Sequence, residues 1–168
     1  MKTLGHPLTL PFLGKITKKT ELAENREFSV YGAQMDAALH NKLSDIAPWV
    51  KEGVIVDAGF GTGELSQHLA LRYPSSRIIG IDCSQHFLTD AHRRLKDITN
   101  IRLVSGNIMD KHLAENSVDT IIFSTVLHEV YSYTNYDITA VEKALASAFD
   151  EIRPGGRIII NMPVSSGS

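Results

Sequence analysis

Val56-Asp57-Ala58-Gly59-Phe60-Gly61-Thr62-Gly63-Glu64-Leu65-Ser66 is the stretch on which the reading of this chain turns. It closes the β-branched run Val54-Ile55-Val56, reaches a carboxylate, and then places glycine at alternate positions. β-Branched residues favour strands. Glycine permits positive φ and lets a ligand lie against bare main chain. The stretch is therefore a strand end, a turn built for close approach, and a helix start.

Working outward, short apolar runs recur at Val54–Val56, Arg77–Ile81, Ile101–Val104, Val118–Phe123 and Arg157–Ile160. Between the first two, Leu65, Leu69 and Tyr73 follow helical spacing. Ser84 is placed to cap a helix burying Phe87, Ala91 and Leu95. Ile138, Val141, Leu145, Ala148 and Ile152 form a further stripe, ended by Pro154-Gly155-Gly156. Upstream, from about Ser29, Met35, Leu39, Leu43 and Ile46 predict a helix closed by Pro48. Strand and helix alternating at this rhythm mean an α/β fold, a mainly parallel sheet with helices on both faces. Residues 1–28 keep no period and are expected to form an N-terminal arm or lid; the domain proper is expected over 29–164, with a short tail at 165–168.

At 168 residues the chain is long enough for a single real core. A net charge of −2 and a pI near 6.4 give no global basic field for nucleic acid or an anionic membrane. Nucleic acid is disfavoured as a partner, and no apolar run approaches the roughly 20 residues of a membrane span. The single Cys83 forms no internal disulfide, and no Cys/His cluster has zinc spacing. The expectation is a cytoplasmic, metal-independent domain.

In an open parallel sheet, ligands bind beyond the carboxyl ends of the strands, where Gly59, Gly61 and Gly63 fall. A phosphate loop would need Gly-Lys-Ser/Thr, but Gly63 is followed by Glu64. A dinucleotide site would want G-x-G-x-x-G, and counting from Gly59 puts Glu64 at the third glycine, where its carboxylate would face a pyrophosphate. The pattern D-x-G-x-G-x-G, with an acid at the end of the next strand, matches closely.

That pattern resembles the class I S-adenosylmethionine-dependent methyltransferases, and the resemblance runs from about Val54 to Met162 through five ordered landmarks. These are Asp57–Gly63, Ile81-Asp82, Gly106-Asn107-Ile108, Asp119–Ile122 leading to Leu127-His128-Glu129, and Ile152–Arg157. It implies a Rossmann-like three-layer α/β/α sandwich with strand order 3-2-1-4-5. Because the chain stops soon after Ile158-Ile159-Ile160, the usual C-terminal strand pair is expected to be lacking, leaving the fifth strand as an edge open to homodimer formation.

The resemblance also implies the site. Asp57, Ala58, Gly59, Phe60, Gly61 and Gly63 would hold the methionine end, Asp82 and Cys83 the ribose, Asn107 and Ile108 the adenine, with Ser124 at the end of the fourth strand. A carboxylate such as Asp82 is acceptor-only and suits a ribose diol. Phe60 stands where the family usually carries a small residue, and Asn107 where it often carries Asp. His128 and Glu129 follow the fourth strand, facing the methyl, and are the candidate catalytic residues. Tyr131, Tyr133 and Tyr136 are candidates for an aromatic pocket wall, and Arg26 and Tyr31 for closing over the methionine end. The Asp/Asn-Pro-Pro-Tyr signature of nucleic-acid amino-methyltransferases is absent after this strand, which favours a small-molecule acceptor. The alternative is a cofactor-binding module or shortened domain, inactive without a partner chain.

Overall fold

Every apolar run becomes a strand of one sheet. The computed structural model describes residues 39–162, with side chains from Lys42 onward. The expected arm over 1–28, Arg26, Tyr31, the part of the expected helix before Leu39 and the tail at 165–168 lie outside the described residues. Within them the order is α1 (Leu39–Ile46), a 3-10 turn (Ala47–Trp49), β1 (Val54–Ala58), α2 (Glu64–Arg72), β2 (Arg77–Asp82), α3 (Gln85–Leu95), β3 (Ile101–Ser105), β4 (Val118–Ser124), α4 (Leu127–Tyr133), α5 (Ile138–Glu151) and β5 (Ile152–Asn161). The sheet runs β3-β2-β1-β4-β5, and every neighbouring pair is parallel. The expected order is the observed one.

The central strands are buried on both faces, which is why they read as unbroken apolar runs rather than alternations. Ile55, Ile78 and Ile122 face Ile46 of α1 and Leu65, Leu69 and Ala70 of α2. On the same side, α3 packs Phe87, Leu88, Ala91 and Leu95 over Leu103 and Ile101. Val56, Ala58, Ile79, Ile81, Ile121 and Phe123 point the other way, against Leu127 of α4 and Ala144 and Ala148 of α5. Side chains one residue apart thus serve opposite layers.

The amino ends of the strands are laced together. Asp119 accepts the Val54 amide (2.8 Å) through Oδ2 and meets Arg153 Nη1 (3.2 Å) through Oδ1. Its carboxylate fills the space in which a Cβ on Gly53 would sit, 2.1 Å from Oδ2. Thr120 Oγ1 accepts the Lys51 amide and donates to the Lys51 carbonyl (2.9 and 2.8 Å). The Asn100 amide lies 3.1–3.3 Å from the carbonyls of Ala70, Tyr73 and Ser76.

Three details depart from the sequence-based expectation. Pro48 does not stop the chain's winding; it sits in the first turn of the 3-10 helix, where its missing N–H is no loss. Ile152 does not belong to the helical stripe. α5 ends at Glu151, and Ile152 turns to φ −71°, ψ 135° to open β5. Register then slips, Val118 pairing with Ile152 but Thr120 with Arg157, so that Pro154-Gly155-Gly156 bulges out of the ladder. Lastly, Leu127–Tyr133, for which the sequence predicts no helix, is a seven-residue helix. It is too short to show a stripe, and its N-cap Val126 makes no side-chain cap bond.

Candidate functional site

The site is assembled where β1, β2, β3 and β4 end. Gly59 and Phe60 donate their amides to the Ile81 carbonyl (2.7 and 3.3 Å), which folds the glycine loop against β2. Gly59, Gly61 and Gly63 all have positive φ (77°, 54° and 77°). At Gly59 the requirement is double, because a Cβ there would lie 2.4 Å from Val126 Cγ2. The loops after β1 and β4 therefore abut.

Asp82 ties the loop to the following helix. Its Oδ2 accepts the Gly61 amide and its Oδ1 the Ser84 amide, both at 2.9 Å. Ser84 in turn caps α3, its hydroxyl accepting from the Phe87 amide at 3.4 Å. The Asp82 carbonyl accepts the Gly106 amide (3.0 Å), joining the loop after β3. In that loop Asn107 Oδ1 accepts the Met109 amide (3.0 Å).

Asp57 is 1% exposed, and Ser66 Oγ on α2 donates to its Oδ2 at 2.7 Å. Burial, reinforced by the negative charge of Asp82, raises its pKa to about 6, against the opposing pull of the Ser66 bond and of Lys42. Lys42, half-buried on α1, is held below the ordinary lysine range by desolvation, which outweighs its attraction to Asp57. Two hydroxyls at the end of β4, Ser124 Oγ and Thr125 Oγ1, are buried without a hydrogen-bond partner among the described residues. Thr125 also has φ 58°, strained for a β-branched residue.

Some expected site residues contribute main chain rather than side chain. Phe60 is 3% exposed and packs with α3, its ring using the space over Gly80, where a Cβ would lie 2.9 Å from Phe60 Cδ1. The absent side chain at Gly80 explains how a bulky residue fits between the glycines. Ala58 points into the α5-side core, and Ile108 packs against that core from the loop. Cys83 is exposed beside Asp82. His128, exposed, and Glu129, half-buried, stand on the first turn of α4, just beyond the Val126 that covers Gly59. Sequence reasoning missed Ser66, Lys42 and Thr125. Ser66 carried a faint signal, a small polar residue beside Leu65 on the apolar side of its helix; the other two carried none.

A methyltransferase-domain family model matches residues 50–167. Trans-aconitate 2-methyltransferase of Deinococcus radiodurans is 27% identical over 111 residues, covering 66% of this chain and 38% of the relative. An uncharacterised 37.1 kDa protein of transposon Tn4556 from Streptomyces fradiae is 32% identical over 109 residues, covering 64% of this chain and 29% of its own. Phosphoethanolamine N-methyltransferase 2 of Haemonchus contortus, solved with S-adenosylhomocysteine, superposes with a TM-score of 0.60 at 18% identity, over 72% of this chain and 27% of that one. The chain thus spans about a third of the length of these relatives. With a family model reaching from the approach to β1 past the end of β5, on a sheet ordered 3-2-1-4-5, the chain belongs to the class I S-adenosylmethionine-dependent methyltransferases.

Proposed function

We propose that this chain binds S-adenosylmethionine across the carboxyl ends of β1, β2 and β3 and methylates a small molecule. The observation that carries the reading is Asp82, a part-exposed carboxylate held at both oxygens by the glycine loop and the start of α3. A carboxylate is acceptor-only, which suits the two hydroxyls of a ribose. The donor set fits the cofactor: carboxylates for an ammonium and a diol, bare glycine main chain, and two buried hydroxyls without partners among the described residues. When bound, the cofactor supplies an electrophilic methyl on a good leaving group, so alignment does much of the work. Asp57 favours the cationic end, Asp82 orients the ribose, and Asn107 and Ile108 border the adenine. His128 takes the proton of an oxygen acceptor, with Glu129 beside it.

A small acceptor accords with the acidic pI and with relatives named for trans-aconitate and for ubiquinone and menaquinone biosynthesis. The exposed thiol of Cys83 suits a reducing, cytoplasmic setting. No helix among the described residues is long and apolar enough to cross a membrane. Calorimetry with S-adenosylhomocysteine tests the reading. Asp82→Ala should weaken binding by about 1.5–3 kcal/mol, the scale of charge-assisted bonds. Unchanged affinity, or tighter binding of NAD than of S-adenosylhomocysteine by the parent chain, would contradict it.

The same reading includes a homodimer through β5. Among the described residues that strand pairs only with β4, and Ile160 and Met162 are 48% and 39% exposed. An unpaired, β-branched edge is a template for a second strand. Amide exchange at Ile158–Ile160 should slow as protein concentration rises. Protection that ignores concentration would rule out the second copy as the covering strand.

A further inference from the structure

We infer that Glu151, at the end of α5, is a positioning residue for the cofactor: it sets the loop that borders the adenine without touching the ligand itself. The inference rests on the cofactor reading above. The connection from β3 to β4, residues 106–117, contains no helix, although crossovers between parallel strands usually do. The sheet face there is covered by the connection itself, through Ile108, Met109 and Leu113.

A loop laid on an apolar core must find partners for its backbone groups elsewhere. Here α5 supplies them. Ser147 Oγ donates to the Met109 carbonyl (2.9 Å), and one turn on, Glu151 Oε1 accepts the amides of His112 (2.5 Å) and Leu113 (2.8 Å). Ser147 and Glu151 are four residues apart and so lie on one face of the helix. Glu151 is only 4% exposed, which makes these charge-assisted bonds strong and their loss costly.

From His112 the constraint passes to the site. The His112 ring hydrogen-bonds through Nε2 to the Asn107 carbonyl (2.8 Å). The same ring occupies the space beside Gly106, where a Cβ would lie 2.2 Å from Cε1. With Gly106 tied to Asp82 and Asn107 folded onto Met109, the adenine and ribose sides share one frame, anchored at Glu151. Apolar contacts alone would let the loop slide over the core. Two amides on one carboxylate oxygen set its register.

The test compares the parent chain with Glu151→Gln, Glu151→Ala and Ser147→Ala. Each is titrated with S-adenosylhomocysteine and with 5′-methylthioadenosine, which lacks the amino-acid end, while amide exchange is followed along the chain. Glu151→Ala should weaken both ligands by the same factor, about tenfold for the lost bonds. Glu151→Gln, which keeps an oxygen acceptor, should fall between. Exchange should quicken at 107–113 while β1 and β2 stay protected. Should the alanine variant not fold, a loss of a few-fold in Glu151→Gln and Ser147→Ala, again equal for both ligands, supports the inference. Equal affinity in all folded variants, or loosening spread evenly over the sheet, would overturn it. Failure of the parent chain to bind either ligand would instead overturn the cofactor reading.

Discussion

Turnover on an oxygen acceptor should fall by about 10²–10⁴ when His128 is replaced by alanine, while affinity for S-adenosylhomocysteine stays nearly unchanged. Both halves follow from the placement of His128. It is rooted on the first turn of α4, next to Leu127, which is 7% exposed and fixes that helix on the core. It lies two residues beyond Val126, whose side chain touches the glycine loop. The imidazole is exposed, so it can exchange protons with solvent between turnovers. None of the groups proposed to hold the cofactor passes through it, hence the expected split between rate and binding. An acceptor that attacks without first losing a proton would leave the rate unmoved, and His128 would then have no catalytic part.

Asp57→Asn should stabilise the chain at pH 8 and weaken its hold on the cofactor. The folded-state pKa of about 6 lies above the ordinary 3.8. The native chain thus binds the proton more tightly than the unfolded chain, and stability declines as pH rises between those values. Above the window the buried anion costs about 3 kcal/mol relative to an unperturbed carboxylate. The amide keeps the shape and a bond to Ser66 without the charge. Thermal melts should therefore show the wild-type chain losing stability from about pH 4 to about 6, and the variant losing much less. Binding should show the converse. A cationic ligand favours ionised Asp57, so calorimetry near pH 6 in buffers of different ionisation enthalpy should detect proton release in the wild type only. Parallel pH–stability curves for the two chains would remove Asp57 from this role.

The sheet was legible because strands buried on both faces announce themselves as apolar runs, and glycines after an acid mark the ligand end whichever way the details fall. The contributions of Asp82 and Ser84 follow from local chemistry, one an acceptor-only side chain, the other an N-cap. Other features depend on contacts distant in sequence. Phe60 looked like a misfit between glycines until Gly80, on the next strand, provided room for its ring. Ser66 meets Asp57 only after α2 folds back over β1. Ile152 continues a helical stripe perfectly well on paper. The pairing of Val118 with Ile152 draws it into the sheet instead.

The two ends of the sheet are built to different standards. At the amino ends, Asp119, Thr120 and Asn100 have their bonds closed within a few residues of each strand's start. At the carboxyl end of β4, Ser124 and Thr125 keep hydroxyls without partners among the described residues, in a strained turn. Substitutions should accordingly be tolerated very unevenly in descent. A lineage that alters Asp119 or Gly53 should lose the domain, whereas one that rewrites residues 128–136, none of them buried, should keep the scaffold. Heritable variation at that rim is largely uncoupled from whether the chain folds at all.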